Sequence, residues 1–360
     1  MRKSTITLAD GRALIYFGDR PSRPDEYPDR RPLVPGHVES QARRDDLLNE
    51  WVVIASHRQD RTFQPALAEC PLCPSTATSL TEIPAPEYDV VVFENRFPTL
   101  GAPADAPLAD PPAAGLLEHH PAGGRCEVIV FSDNHDASFA NLTKDQAAIV
   151  MAAWVDRSVE LSGLPGVEQV YCFENRGPEI GATLTHPHGQ IYAYPYVTPR
   201  TARMLRSVAD YRAATGGNLF DDVVAAERKQ SSRIVADGSH WVAFVPYAAH
   251  WPYEVHLYPH QRVPDLPALS DAARAEFVEI YLDLLRRFDR LFDTPAPYIS
   301  AWHQAPVRGG RDDFAVHLEL FTIRRASGKL KYLAGSESGM GAFANDVSPE
   351  TAAQRLRDLA

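Results

Sequence analysis

The sequence predicts an α+β fold in which one unit of antiparallel strands and a single long helix occurs twice. Three observations carry that reading. The strand-like run DVVVFENRFP (Asp89 to Pro98) is echoed by HWVAFVPYAAHWP from His240, and CEVIVFSDNH from Cys126 is echoed by YEVHLYPHQR from Tyr253. Each copy then enters a long helix with one apolar face. Beyond each helix come a strand (VEQVYCFEN; PYISAWHQ), a Gly-containing loop and a final strand. The final strands, THPHGQIYA and FAVHLELFT, align His188 with His317, Gln190 with Glu319 and His186 with Ala315. Identity is faint, but the order of elements holds over most of Asp89 to Ile323, as an internal duplication requires.

The elements follow in order. Residues 1–50 form the first segment, and the Pro, Arg and Asp of RPSRPDEYPDRRPLVPG predict an extended arm over the surface. Residues 51–198 hold the first half, interrupted by a Pro/Ala-rich loop, GAPADAPLADPPAAG, from Gly101. Its helix opens on a capping box of Thr143 and Gln146 and turns Ala147, Val150, Met151, Trp154 and Val155 to one side. In the second half, residues 199–360, Ser270 is the predicted N-cap, and Phe277, Ile280, Tyr281, Leu284, Leu285 and Phe288 repeat that spacing. On the strand through HPHGQ, residues two apart share a face, so His186, His188 and Gln190 are expected to point the same way. Pro187 donates nothing to a ladder, which suits an edge strand.

Composition narrows the function. The 360 residues carry a formal charge of −11, which argues against nonspecific nucleic-acid binding, since that rests on many Lys and Arg contacts to phosphate. A small anionic ligand would need a local basic patch. The N-terminal apolar run is too short for a signal segment and no stretch approaches a membrane span, so a cytoplasmic location is expected. Four cysteines are too few for a disulfide framework. Two of them, Cys70 and Cys73 in ECPLCP, are separated as zinc-binding thiolates are. Pro71, Pro74 and the following STATS look like a knuckle, whereas the redox alternative needs a helix opening at the motif. His57, His119, His120, His135 and His186 are candidate partners, and spacing does not choose among them.

Four motifs together resemble the galactose-1-phosphate uridylyltransferases, a transferase branch of the histidine triad superfamily. They are ENRG (Glu174 to Gly177), HPHGQ (His186 to Gln190), WVVIASHRQDR (Trp51 to Arg61) and AWHQAP (Ala301 to Pro306). The resemblance runs from about Trp51 to the C-terminus. It implies a duplicated histidine-triad-like fold, a homodimer, and a ping-pong exchange between UDP-glucose and galactose 1-phosphate that yields glucose 1-phosphate and UDP-galactose. In that scheme His188 is the nucleophile. Gln190 stands where hydrolytic members carry a third histidine; an amide donates to a phosphoryl oxygen but does not shuttle a proton to water. Cys70, Cys73, His135 and His186 are the implied ligands of one closed, structural zinc.

The resemblance also assigns Arg58, Arg61, Asn95, Asn175, Gly181, Thr183 and Gln190 to the nucleotide, with Thr183 where a serine is usual. Lys331, Gly335 and Glu337 in KYLAGSESG match the sugar-binding stretch, where Ser336 replaces a tyrosine. Some relatives hold a second metal on one glutamate and three histidines. Here only His303 and His317 remain, with Met204 at the glutamate position and Glu319 at the third histidine. His303, His317 and Glu319 could form at best a three-ligand site completed by solvent, so little or no metal is expected there; the alternative is a hydrogen-bonded cluster in which Glu319 accepts from an imidazole. Two rival readings stand beside the transferase: a nucleotide-sugar phosphorylase, for example ADP-glucose plus phosphate, using the same histidine, and a noncatalytic nucleotide-binding module. Retention of His188, which a closed zinc set does not need, argues against the module.

Overall fold

The computed structural model describes residues 2–36, 38–60, 65–103, 106 and 116–360. In the first half, β1 (Lys3–Thr7), β2 (Ala13–Phe17), β3 (Gln41–Asp45), β4 (Glu50–Ile54), β5 (Val90–Glu94), β6 (His119–Pro121) and β7 (Arg125–Val130) lead to helix α1 (Lys144–Ser162), β8 (Gln169–Arg176) and β9 (His188–Tyr194). The second half opens on α2 (Pro199–Thr215) and α3 (Leu219–Gln230). It continues through β10 (Ile234–Asp237), β11 (Trp241–Phe244), β12 (Tyr253–Pro259), α4 (Asp271–Arg290), β13 (Tyr298–His303) and β14 (His317–Thr322), and ends in α5 (Gly335–Met340) and α6 (Pro349–Asp358). Among the described residues no helix is long and apolar enough to cross a membrane.

One eleven-stranded sheet spans both halves in the order β1-β2-β5-β7-β9-β8-β13-β14-β12-β11-β10. The halves meet where β8 pairs antiparallel with β13, from Arg176 opposite Tyr298 to Cys172 opposite Trp302. Outward from that seam the first half runs β8, β9, β7, β5 and the second runs β13, β14, β12, β11. The echoed segments therefore occupy equivalent places, as the duplication predicts.

Two expectations differ from the structure. The N-terminal segment is not only a surface arm: β1 and β2 extend the sheet beyond β5, and Leu14, Tyr16 and Phe17 are buried. Alternation in TITLADGRALIYF is a strand signal that the Pro-rich run after it masks. The β9 strand is not at an edge either, because it lies between β7 and β8. Pro187 escapes the ladder by preceding the strand, where its carbonyl still accepts from Phe131 N at 3.1 Å. The loop from Gly101 lies largely outside the described residues.

Both long helices pack on one side of the sheet. The capping box closes as expected, with Gln146 N donating to Thr143 Oγ1 at 3.2 Å and Thr143 N to Gln146 Oε1 at 3.3 Å. Ser270 Oγ accepts from Ala273 N at 3.2 Å. The apolar faces of α1 and α4 enter a single core with inward residues of both half-sheets, including Ile129, Ile191, Cys172, Trp302 and Leu318. Trp154 and Trp302 touch across the seam, ring centres 6.2 Å apart. With one face of every central strand given to this core, the alternate residues of β8 and β9 are left to build a site on the other.

A buried ion pair joins α1 to β7. Arg157 of α1 donates Nε and Nη2 to the two carboxylate oxygens of Glu127 on β7, each at 2.8 Å, and both side chains are buried. Breaking one partner of such a pair leaves a buried charge uncompensated, at a cost of about 3–5 kcal/mol. Arg157→Met is therefore expected to lower unfolding free energy by about that amount, read as a shifted urea midpoint at unchanged slope. A loss under about 1 kcal/mol would show that Glu127 is solvated without the arginine.

Candidate active site

His188 is the first residue of β9. Its neighbour Gly189 lies so close to the surrounding sheet that an added Cβ would stand 2.8 Å from the Phe173 carbonyl oxygen and 2.9 Å from the Phe131 ring. The motif carries glycine there because strand and aromatic ring leave no room for a side chain. His188 Nδ1 lies 2.7 Å from the carbonyl oxygen of His186. A carbonyl only accepts, so Nδ1 carries the hydrogen and Nε2 keeps its lone pair. Burial pulls the ring's pKa below the usual histidine value, against the opposing pull of that carbonyl, which favours the neutral form.

The ring lines a cavity of about 320 Å3. Arg58, Asn95, Asn175, Gly181, Thr183 and Gln190, all read from the sequence, line it as well. Gln190 Oε1 accepts from Tyr192 OH at 3.1 Å, which orients the amide so that its NH2 remains to donate. Arg58 is held by a hydrogen bond to Thr99 Oγ1. Asn95 Oδ1 caps the backbone N–H of Phe97 at 2.9 Å. Gly181 takes φ +81°, a left-handed turn that glycine adopts freely. Arg61 lies outside the described residues.

Sequence reading missed part of this wall. Arg96, Phe97, Phe173 and Tyr192 also line the cavity. Strand alternation could have found Phe173 and Tyr192, which share a face with Asn175 and Gln190; Arg96 had only its place beside Asn95 to mark it. Lys331, Gly335 and Glu337 are not brought to the cavity. Lys331 Nζ instead donates to Glu337 Oε1 at 2.9 Å and to the Ala344 carbonyl, within the C-terminal half. Glu174 of ENRG faces away from it too: buried and with Oε2 unpartnered, its carboxyl is pushed up to about 8 by burial.

Behind the cavity wall, Cys70, Cys73, His135 and His186 gather with their ligand atoms all within 4.8 Å of one another. Cys73 Sγ lies 3.4 Å from His135 Nδ1 and 3.6 Å from His186 Nδ1, and Cys70 Sγ lies 3.9 Å from His186 Nδ1. Sulfur and nitrogen on one tetrahedral zinc stand about 3.5 Å apart, so the donor set fits that ion. The far nitrogens are engaged, His186 Nε2 with the Ser132 carbonyl at 2.8 Å and Tyr88 OH at 3.2 Å, His135 Nε2 with Thr185 Oγ1 at 3.0 Å. Such outer partners fix which nitrogen faces the ion. His57, His119 and His120 lie elsewhere: His57 Nε2 meets the Pro98 carbonyl, His119 Nδ1 the Leu117 carbonyl, and His120 packs tilted against Trp51, ring centres 4.5 Å apart. His186 sits in the bend before β9, not on the strand, so the same-face expectation holds for His188 and Gln190 but not for it.

A second cluster occupies the equivalent place in the other half, where His303, His317 and Glu319 converge. His317 Nδ1 meets the Ala315 carbonyl at 2.8 Å, repeating the arrangement of His188. Glu319 accepts chiefly from Arg200, whose Nη2 is 2.7 Å from each oxygen, with His303 Nε2 and His317 Nε2 farther off at 3.4 and 3.6 Å.

The profile of the galactose-1-phosphate uridyl transferase N-terminal domain matches residues 34–198, and that of the C-terminal domain matches residues 204–360. The chain belongs to the galactose-1-phosphate uridylyltransferase family. The family's protein from Streptomyces lividans is 50% identical across all of this chain and 98% of its own length. A solved uridylyltransferase structure superposes with a TM-score of 0.79 at 32% identity, covering 89% of this chain and 98% of that one. An ADP-glucose phosphorylase from Arabidopsis thaliana shares the fold, with a TM-score of 0.66 at 20% identity over 89% of this chain and all of that one.

If the uridylyltransferase family's metal is held here, the four-residue knuckle set closes it with no open position, and metal then contributes to folding. Cys73→Ser is expected to lower zinc content and Tm together while leaving any residual turnover per folded molecule within a few-fold of wild type. Metal analysis beside a thermal melt checks this; carefully purified wild type free of zinc would remove the basis for it.

Proposed function

We propose that this chain is a UDP-glucose–hexose-1-phosphate uridylyltransferase that carries UMP on His188. The observation that supports it most is the pairing of a fixed His188 tautomer, Nε2 unprotonated, with a neighbouring Gln190 amide whose oxygen is already occupied by Tyr192. UDP-glucose enters the cavity, and the Nε2 lone pair attacks the α-phosphorus. The bond from that phosphorus to the β-phosphate oxygen breaks, and glucose 1-phosphate leaves with the electron pair. Positive charge develops on the ring as the P–N bond forms, and the His186 carbonyl on Nδ1–H stabilises it. A phosphate oxygen of galactose 1-phosphate then attacks phosphorus, the P–N bond breaks, and UDP-galactose leaves with the imidazole neutral again.

No step needs a general acid, because a phosphate monoester leaves as an anion. That is consistent with an amide at position 190. Arg58 and the Gln190 NH2 are read as donors to the non-bridging oxygens, and Asn95, Asn175, Gly181 and Thr183 as the remaining nucleotide wall. Zinc on Cys70, Cys73, His135 and His186 would hold the start of the nucleophile strand.

Labelled UDP-glucose supplied without acceptor is expected to leave an acid-labile, base-stable uridylyl group on the wild type and none on His188→Gly. Label that persists in the variant would remove His188 from the role. In parallel, ADP-glucose plus inorganic phosphate distinguishes the phosphorylase reading: faster turnover there than with UDP-glucose and galactose 1-phosphate would replace the transferase assignment.

Lys331, Gly335 and Glu337 are read as acting in a homodimer, where a second copy presents its segment to this cavity. Supporting this, Tyr332, Leu333 and Met340 beside them are exposed apolar side chains. Sedimentation at assay concentration is expected to give a dimer, and Lys331→Ala to raise KM for galactose 1-phosphate with His188 labelling intact. A fully active monomer would exclude this arrangement.

A further inference from the structure

The second-half cluster contains two buried carboxylates and three imidazoles, and each carboxylate is already engaged. Glu319, on β14, takes both oxygens to Arg200 Nη2 at 2.7 Å. Glu254, on β12, accepts from the backbone N–H groups of His250 and Trp251 at 2.7 and 3.0 Å through one oxygen, and faces His256 Nε2 at 2.8 Å through the other. His317 is buried with Tyr258 stacked on its ring, centres 4.6 Å apart, and its Nε2 has no hydrogen-bond partner. A divalent ion here would have to draw Glu319, itself buried, away from a charge-assisted bond to Arg200, whose side chain is half-exposed.

The arginine comes from the helix face that carries the missing ligand's position. Arg200 and Met204 are four apart on α2 and so lie on one face, a turn apart. Met204 offers a thioether and packs against the apolar cluster of Val208, Phe220, Phe244 and Tyr258. It is a poor ligand for a hard or borderline ion. One turn earlier, the same helix face delivers a positive charge to the carboxylate that stands on β14. The donor set therefore does not fit a second metal.

We infer that in this chain the guanidinium of Arg200 takes the place of a cation in the second half: the Arg200–Glu319 pair clamps the start of α2 to β14, and the His303–His317–Glu319 cluster holds no resident metal. The clamp acts just where the chain leaves the nucleophile strand, since α2 begins five residues after β9 ends. It works beside a second tie at the same turn, in which Gln169 of β8 bonds Thr198 N at 2.9 Å and Thr201 Oγ1 at 2.7 Å.

Elemental analysis of the full-length chain, purified without chelator and then dialysed against ferrous or zinc ion alone, tests this directly. One metal equivalent is expected, lost in Cys73→Ser. A second, near-stoichiometric equivalent that survives Cys73→Ser and disappears in His317→Ala would overturn the inference. Thermal melts supply an independent reading. Arg200→Met is expected to lower Tm by several degrees and Arg200→Lys to recover part of it, because a lysine keeps the charge and one donor nitrogen on a more flexible and more strongly hydrated stem. An unchanged Tm in Arg200→Met would show that the pair clamps nothing. The wild-type metal count stands whether or not the variants fold.

Discussion

The contact between His188 Nδ1 and the His186 carbonyl at 2.7 Å is the constraint on which the site depends. A single residue, His186, works in two directions. Its side chain points into the cysteine–histidine knuckle, while its carbonyl sets the tautomer and angle of the ring two residues on. Any ion that fixes the knuckle thus fixes the orientation of the His188 ring without approaching the cavity. The strand cannot slip to accommodate error, since Gly189 already packs at the limit against Phe131 and the β8 backbone. The Arg12 and Arg31 side chains, which both meet Glu82 on the way out of the knuckle, tie the N-terminal segment to the same unit.

The second half shows what the same backbone does when the anchor is lost. His317 keeps the carbonyl contact to the residue two before it, but that residue is Ala315, which has no side chain with which to join a knuckle. His188 opens onto a cavity; His317 is covered by Tyr258 and by the carboxylate at the position equivalent to Gln190. The two copies thus share strand geometry and differ in what surrounds the histidine. The two places are on one sheet face and are joined by touching rings, Tyr192 to Phe173, Phe173 to Tyr171, Tyr171 to His303 and His303 to His317, with centres 4.9 to 5.7 Å apart. Packing of that kind makes the halves one structural body.

Much of this was legible because strands and helices leave periodic marks. Alternation located the central strands of both repeats, the 3.6-residue spacing located α1 and α4, and HPHGQ located β9 and the histidine at its start. What escaped had no local mark. Pro187 suggested an edge, yet a proline one residue before a central strand costs the ladder nothing. Strands β1 and β2 are each five residues long and are followed by a Pro-rich run that dominates the composition of the segment. Arg200 and Glu319 are 119 positions apart, so their pairing exists only once α2 is folded over β14. The knuckle's choice of His135 over His57, His119 and His120 was likewise a matter of three-dimensional placement, and resemblance supplied what spacing alone did not.

On the mechanism proposed above, the amide at position 190 is the small chemical difference that selects the reaction. A third histidine there could exchange a proton with water near neutral pH, which would make a phosphoryl-histidine vulnerable to hydrolysis. Gln190 has no such proton to exchange. Its oxygen is held by the Tyr192 hydroxyl and its nitrogen is left as a fixed donor. A fixed donor stabilises charge on a phosphoryl oxygen equally for any acceptor, so selection falls to whichever group binds in line with the P–N bond. Water lacks the binding energy to be held there. A sugar phosphate, by contrast, brings an oxygen that is already anionic and needs no base, and it can be gripped through its phosphate and its ring. Excluding water in this way depends on a filled cavity, and a cavity of about 320 Å3 ringed by Arg58, Arg96 and the aromatic wall is small enough for a nucleotide to fill.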